Sequence, residues 1–192
     1  MSVVCAAIKD GEIAIACDTQ TSFGSMVVTS THLANSNKLH MINDSIIGLV
    51  GWKTLANIID HMILEKPDAF KLSNRMEIYS TLLELHAVMK DDYFLSTKTN
   101  DNKQPVESSQ FNALIVNPNG LFEITRLREV NEYRKFWAIG SGRSYALGAM
   151  QTIYLQELTA SQIAEAGVKA GCEFDQSCSL PAYVESLKLI DS

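Results

Sequence analysis

The chain has 192 residues, of which 46% are hydrophobic and 20% are charged, and its formal net charge at pH 7 is −6. This composition excludes a disordered or fibrous chain and predicts a single globular domain over residues 1–192. The acidic balance argues against a nucleic-acid partner bound through a broad basic surface, and no apolar run approaches the roughly 18 residues that a membrane span needs.

The first predicted element is an antiparallel hairpin. Residues 3–9 and 12–18 are rich in Val, Ile and Ala, a composition typical of strands. The pair Asp10-Gly11 between them is typical of a type I′ turn, in which both central residues have positive φ. We therefore expect these two strands to lie side by side at the start of the chain.

A polar segment and a buried strand are predicted next. Residues 19–44 contain Ser, Thr and Asn throughout and are expected to be irregular, with short extended pieces near 26–29 and 38–42. The run SIIGLVG at 45–51 is apolar, short and closed by glycine. These properties predict a buried strand.

Two helices follow in the predicted order. Apolar residues at helical spacing indicate a helix that ends before Pro67, and a second helix is predicted from about Arg75 to Met89. Residues 96–108 are almost entirely polar and predict an exposed loop. The apolar faces of the two helices consist of Leu55, Ile58, Ile59, Met62 and Ile63, and of Ile78, Leu82, Leu85 and Met89.

The second half of the chain again places strands before helices. Residues 111–116 and 121–127 flank the turn sequence Asn-Pro-Asn-Gly and predict a hairpin. Residues 134–140 predict a further strand. A Gly-Ser-Gly sequence then leads into a helix with an apolar face of Tyr145, Leu147, Met150 and Ile153.

The last predicted elements are a capped helix and a strand. Thr159 and Gln162 form the sequence pattern of a capping box, which opens a helix that runs to about Cys172. Residues 182–189 predict the final strand. Blocks of strands thus alternate with pairs of helices, which disfavours a parallel β-α-β fold.

This order predicts an α+β fold. We expect a four-layer αββα sandwich, in which two antiparallel sheets stack face to face and a helix pair covers each outer side. No internal repeat or linker divides the sequence.

Sequence signals for a cofactor or metal are missing. No phosphate-binding or dinucleotide fingerprint occurs, and His32, His40, His61 and His86 lack metal-ligand spacing, so we expect neither a cofactor nor a metal. The four cysteines lack CxxC spacing and predict free thiols. Together with the lack of a signal-peptide pattern, they indicate a cytoplasmic location.

Six residues that could do chemistry lie in turns or at the ends of predicted elements. They are Ser2, Asp18, Lys38, Gly51, Ser141 and Asp175. Their order and spacing resemble the proteasome β-subunit and HslV peptidase family, whose members are N-terminal nucleophile hydrolases. The resemblance covers nearly the whole chain and is to the bacterial homologues, such as HslV and Anbu, in particular.

Several motifs carry this resemblance. The family has an aspartate sixteen residues after its nucleophile, and Ser2 and Asp18 keep that interval, with Asp18 closing IAIACD. The active-site lysine of the family precedes an asparagine as Lys38 precedes Asn43. IIGLVG is similar to the family strand whose last glycine faces the oxyanion, and AIGSGRSYALGAM is similar to its GSG turn and helix.

The sequence also departs from the family pattern. Ser2 stands where threonine is usual, Trp52 replaces the second glycine of a pair, and Cys178 replaces a serine. The segment between Asp18 and Lys38 is longer than in the family. Trp52 predicts a substrate rim of different shape.

The resemblance implies how the first strand would take part in catalysis. Ser2 would be the nucleophile after loss of Met1, which is the only maturation step that we expect, and its own α-amine would act as the base. Lys38 would favour the alkoxide electrostatically, and Asp18 would hold Lys38 in position.

The remaining residues would support the reaction. The resemblance implies that Ser141 and Asp175 orient the α-amine and that the Gly51 N–H stabilises the oxyanion. Leu49 and Val50 lie beside this glycine and suggest an apolar substrate pocket.

The implied function is endopeptidase activity inside a self-compartmentalising ring, with stacked hexamers or heptamers, a peptide or unfolded-protein substrate and possibly an ATP-dependent unfoldase. Two alternatives stay open: a catalytically silent ring scaffold that retains Met1, and a hydrolase of small amides. Asp18 with Lys38 could also be a purely structural ion pair, and Ser141 and Asp175 could be turn and cap residues.

Overall fold

The computed structural model describes residues 2–98 and 104–190. The strands are β1 (Val3–Lys9), β2 (Glu12–Cys17), β3 (Thr21–Phe23), β4 (Met26–Val28), β5 (Leu39–Ile42), β6 (Ser45–Val50), β7 (Asn112–Asn117), β8 (Gly120–Ile124), β9 (Val130–Tyr133), β10 (Phe136–Gly140) and β11 (Tyr183–Lys188). The helices are α1 (Lys53–Glu65), α2 (Arg75–Asp91), α3 (Arg143–Ile153) and α4 (Ala160–Phe174), with a short 3-10 helix at Pro67–Ala69.

Two antiparallel sheets form the centre of the molecule. One has four strands in the order β10-β1-β2-β11, and the other has five in the order β5-β6-β7-β8-β9. The helices α3 and α4 cover the four-stranded sheet, and α1 and α2 cover the five-stranded sheet. The predicted αββα sandwich and its α+β class are thus confirmed.

Alternation along β1 shows how this strand serves two interfaces. Val3, Cys5 and Ala7 pack against α3 and α4, whereas Val4 and Ala6 face the five-stranded sheet. All five side chains are fully buried. A strand with both faces covered has no polar side, which explains why this part of the sequence reads as a continuous apolar run.

The buried strand β6 has the same arrangement in the other sheet. Ile47 and Leu49 pack against α1 and α2, and Ile46 and Val50 face the four-stranded sheet. Between them, an added Cβ on Gly48 would lie 2.6 Å from Val4 Cγ1. The absence of a side chain at Gly48 therefore permits the close approach of the two sheets.

The first hairpin has the predicted turn. Asp10 has a φ of 51° and Gly11 a φ of 76°, as a type I′ turn requires at its two central residues. The capping box at the start of α4 is also present, because the Thr159 side chain accepts from Gln162 N and the Gln162 side chain accepts from Thr159 N.

Other sequence predictions need correction. The irregular segment contains a small hairpin of β3 and β4, of which only the second strand was expected. The strand predicted at 121–127 ends at Ile124, because the chain reverses at Arg128, which has a φ of 64°, and returns as the unpredicted strand β9. The helix expected to end at about Cys172 continues to Phe174.

The described residues of the segment 96–108 form a loop that is mostly exposed, as predicted, but two of them are buried. Thr97 and Ser108 are buried, and the Ser108 N–H donates to the Thr97 carbonyl at 3.1 Å. The central part of this loop, residues 99–103, lies outside the described residues. Within residues 2–98 and 104–190, no helix combines the length and apolarity that crossing a bilayer requires.

Two glycines provide a test of the sheet packing. We expect Gly48→Ala to lower the free energy of unfolding by about 1–3 kcal/mol, because the new methyl group would displace Val4 and Ile15 from the interface. The matched control is Gly148→Ala in α3, where nothing lies within 4 Å of the new Cβ and the helix should gain up to about 1 kcal/mol. Urea denaturation of both variants measures the difference. Equal effects would contradict the close approach of the sheets.

Candidate active site

Ser2 lies at the edge of the sandwich, directly before β1. It is only 5% exposed, and β1 is hydrogen-bonded between β10 and β2 immediately after it. The Ser2 carbonyl lies 3.4 Å from the Ser141 hydroxyl and 3.5 Å from the Gly142 N–H, both in position to donate. The Gly-Ser-Gly turn thus holds the backbone of Ser2 from one side.

Gly140 allows this turn to approach Ser2. Its φ is 99°, in a region that favours glycine, and an added Cβ would lie 2.0 Å from the Ser2 carbonyl oxygen. Any other residue at this position would collide with the backbone. The glycine at the end of β10 is therefore required for the position of Ser2 and not only for the turn.

The Asp18 carboxylate holds the other side of this region. It is fully buried, and Oδ1 accepts from the Val3 N–H at 2.9 Å while Oδ2 accepts from the Gln20 N–H at 3.0 Å. Oδ2 also accepts from the Ser179 N–H at 3.4 Å. One side chain therefore links β1, the end of β2 and the segment before β11.

Lys38 forms an ion pair with this carboxylate. Its Nζ lies 2.6 Å from Asp18 Oδ1, and its side chain is 13% exposed. The carbonyl of Lys38 accepts from the Leu49 N–H at 3.0 Å, which connects the lysine to the end of β6. The sequence prediction of a contact between Asp18 and Lys38 is confirmed as geometry, while their catalytic role stays a prediction.

Ser141 and Asp175 also lie together, at the end of α4. Burial acts to raise the pKa of the Asp175 carboxyl, but hydrogen bonds from Ser141 and Ser177 outweigh it and hold that pKa below its usual value. The Ser177 N–H donates to Asp175 Oδ1 at 2.8 Å. Ser141 is also close to the Ser2 carbonyl, so its hydroxyl connects Asp175 to the residue that precedes β1.

A cleft of about 520 Å³ opens beside Ser2. Ser2, Lys38 and Gly51 all line it. They adjoin β1, β5 and β6, so the fold brings residues that are distant in sequence to one place. Leu49 and Val50 line it too, as predicted. Trp52 lines the cleft with 78% of its surface exposed, so its indole forms part of the rim.

Sequence reasoning missed several residues of this cleft. They are Ser36, His40, Lys53 and Arg126, which come from three separated parts of the chain. Lys53 follows Gly51 by two residues, and this short interval is the one sequence signal that could have pointed to the cleft. His40 was expected to be a surface or packed histidine, and it is buried with Nδ1 hydrogen-bonded to Asp60.

The cysteines near the site are free and weakly acidic. Burial raises the pKa of Cys17 to about 11 and the pKa values of Cys172 and Cys178 to about 12. Cys5 is also free, which confirms the prediction of free thiols. Few thiolates are present near neutral pH, so these cysteines compete poorly with a serine alkoxide for an electrophile.

The described side chains lack the kind of grouping that binds a metal ion. In the described part of the chain, His, Cys, Asp and Glu residues form no group that could hold a metal ion. The arrangement of a buried serine, an ion-paired lysine and a cleft is suited to nucleophilic attack on a carbonyl compound instead.

A family model matches this chain, and solved structures are similar to it. The model of the proteasome subunit family matches residues 1–177. Thiobacillus denitrificans BPH is 33% identical with a TM-score of 0.92, and the alignment covers 99% of this chain and 100% of that chain. The same protein in complex with epoxomicin is 32% identical with a TM-score of 0.90, over 98% of this chain and 100% of that one.

A more distant neighbour shares the fold. Eukaryotic HslV from Trypanosoma brucei is 20% identical with a TM-score of 0.66, and the alignment covers 97% of this chain and 99% of that chain. A comparison with curated proteins found no match.

The Asp18 contacts generate a stability prediction. We expect Asp18→Asn to lower the free energy of unfolding by about 3–5 kcal/mol, because Lys38 would keep a largely buried charge without its partner. The matched control is Glu165→Gln, which removes a carboxylate from the exposed Lys169 pair on α4 and should cost less than about 0.5 kcal/mol. Urea denaturation at equal protein concentration measures both free energies of unfolding. Losses of similar size would contradict the prediction that the Asp18 carboxylate stabilises the fold far more than an exposed carboxylate does.

Proposed function

The chain belongs to the proteasome subunit family, and we propose from this premise that it hydrolyses peptide bonds with Ser2 as an N-terminal nucleophile. The family is one of N-terminal nucleophile hydrolases with peptidase function. The observation that carries the proposal is the position of Ser2, which lines the cleft beside Lys38 and Gly51 and has its neighbouring backbone hydrogen-bonded to Asp18.

The first step requires removal of Met1. Cleavage of the bond between Met1 and Ser2 gives Ser2 a free α-amine, whose ordinary pKa of about 7.7–8.0 leaves a useful uncharged fraction near neutrality. This amine accepts the proton of the Ser2 hydroxyl as Oγ attacks the carbonyl carbon of the substrate. The products of this step are a tetrahedral oxyanion and a protonated amine.

Lys38 stabilises the developing charge. A lysine side chain has an ordinary pKa of about 10.4 and is charged at neutral pH, which suits it to electrostatic stabilisation of the Ser2 alkoxide more than to proton abstraction. The Asp18 carboxylate lies 2.6 Å from the ammonium and fixes the position of Lys38.

The other residues complete the reaction. The Gly51 N–H donates to the oxyanion, a type of contact that contributes about 3–4 kcal/mol to the transition state. Ser141 and Asp175 hydrogen-bond to the α-amine and orient it. The amine then gives its proton to the departing peptide amine as the C–N bond breaks, and water hydrolyses the resulting Ser2 ester.

The wider setting is proposed on the same premise. We place these sites inside a ring built from copies of this chain, in stacked hexamers or heptamers, with peptides or unfolded proteins as substrates. The proposed partner is an ATP-dependent unfoldase that feeds the ring, and the proposed location is the cytoplasm, which keeps thiols reduced and suits the free cysteines.

A silent scaffold is the second candidate. In this alternative Met1 is retained, Ser2 has no free amine, and the ring serves as a compartment without peptidase activity. The serine in place of threonine and the exposed Trp52 at the cleft motivate it. If the protein is a peptidase, Ser2→Ala abolishes peptide cleavage. If it is a scaffold, Ser2→Ala leaves both its assembly and its cellular role unchanged.

Covalent labelling tests the nucleophile. We expect protein that has lost Met1 to gain one molecule of a peptide electrophile per chain, with the modification on Ser2. Epoxomicin is the first probe, since the Thiobacillus denitrificans relative forms a complex with it. Intact mass spectrometry shows both the loss of Met1 and the adduct, and fragmentation locates the modified residue.

Two variants control this experiment. Ser2→Ala should give no adduct, whereas Ser80→Ala, at an exposed position on α2, should react as the parent protein does. Native mass spectrometry of the same samples counts the subunits. An assembled ring whose Met-free chains neither react nor cleave peptides would overturn the peptidase proposal in favour of the scaffold.

A further inference from the structure

The described side chains that line the cleft include basic residues but no acidic ones. Among the described residues that line it, four are basic and none is Asp or Glu. The basic residues are Lys38, His40, Lys53 and Arg126. The chain as a whole has a formal net charge of −6, so the cleft has the opposite character to the rest of the molecule.

Two of these basic groups have carboxylate partners and two do not. Lys38 pairs with Asp18, and His40 Nδ1 contacts Asp60. Within residues 2–98 and 104–190, Lys53 and Arg126 form no ion pair. Lys53 Nζ donates to the Asn35 carbonyl, which is a neutral acceptor and leaves the positive charge of Lys53 without a counter-ion. The charges of Lys53 and Arg126 can therefore attract an anionic ligand in the cleft.

Lys53 lies in an unusual place for a cation. It is the first residue of α1, whose positive helix end has no acidic side chain in its first turn and no side-chain cap. Burial lowers the pKa of Lys53 below its usual value; the Asp60 carboxylate partly offsets this, and the Lys38 ammonium adds to it. An anion beside Lys53 would relieve both the helix end and the repulsion between the two lysines.

Buried polar atoms in the same cleft also lack a partner. Ser36 is 1% exposed and His40 is 8% exposed, and in the described part of the chain neither Ser36 Oγ nor His40 Nε2 has a hydrogen-bond partner. Both residues line the cleft. Unsatisfied buried groups of this kind are costly, which indicates that a polar group of the ligand completes them.

We propose that this cleft receives an acidic side chain, a glutamate or an aspartate, on the substrate residue whose carbonyl Ser2 attacks. The inference rests on the proposed function, because it names the substrate class of the same site. The carboxylate is attracted by Lys53 and Arg126, which line the same cleft, and accepts from the Ser36 hydroxyl. Leu49 and Val50 contact the aliphatic part of the side chain. These two residues therefore form one apolar wall of a cleft whose other lining residues are mostly polar or basic.

Matched peptides test the preference. The substrates are two fluorogenic peptides that differ only in Glu or Gln before the cleaved bond, since Gln has the same shape without the charge. We expect Met-free protein to cleave the Glu peptide with a kcat/KM about tenfold higher at low salt. The ratio should fall as salt is added, because salt screens the attraction.

Variants locate the cause. Lys53→Gln and Arg126→Gln should each lower the Glu-to-Gln ratio, and Lys53→Arg, which keeps the charge, should retain it. The matched control is Lys66→Gln, which removes an exposed lysine after the other end of α1 and should leave the ratio unchanged. Because Lys53 and Arg126 are substituted separately, the test still gives a result if one of the variants does not fold.

A binding measurement separates this inference from the proposed function. Fluorescence anisotropy with labelled Glu and Gln peptides on Ser2→Ala protein reports the charge preference without catalysis. Tighter binding of the Glu peptide, lost in Lys53→Gln, supports the inference even if the parent protein cleaves nothing. Equal binding, or cleavage of the Gln peptide at an equal or greater rate, overturns the inference while leaving the peptidase proposal intact.

Discussion

The buried Asp18 carboxylate is the contact on which the site depends. It lies at the point where the first hairpin, the segment before β11 and the loop that carries Lys38 come together. Each of these would otherwise place a backbone N–H or an ammonium in an environment with little water. A single ionised group that satisfies three backbone N–H groups and a lysine therefore couples folding of the hairpin to construction of the site.

Close packing of small residues is the second constraint. Alanines and Cys5 face α3 and α4 from β1 and β2, and Gly167 lies so near that an added Cβ would be 2.9 Å from Cys5 Sγ. Gly140 and Gly48 allow similar approaches at the turn and between the sheets. The start of β1 and the ends of β2 and β6 lie at one edge of these close-packed layers, where Ser2, Gln20 and Gly51 line the cleft.

Local sequence signals predicted the elements with strong patterns. The Asp10-Gly11 turn, the capping box of Thr159 and the apolar faces of α1 and α2 are each specified by neighbouring residues, and all are present. The predicted apolar residues of α3 are wrong at Tyr145, which is exposed. The strand β9 was missed because the turn at Arg128 depends on packing: its side chain donates to the Glu107 carbonyl, 21 residues away. The buried ends of the loop at 96–108 have the same explanation, since Thr97 and Ser108 contact each other across the loop.

The sequence by itself determined the order of strands and helices apart from β3 and β9, the αββα class and, through a resemblance in spacing, the six candidate residues. These follow from periodicity, turn chemistry and intervals along the chain, which are local properties. Only the tertiary structure decided that Asp18 also accepts from three backbone N–H groups, and that Lys53 and Arg126 line one cleft with Ser2. Contacts between distant segments depend on how the layers stack, and no local pattern encodes the charge of a surface built from several strands and loops.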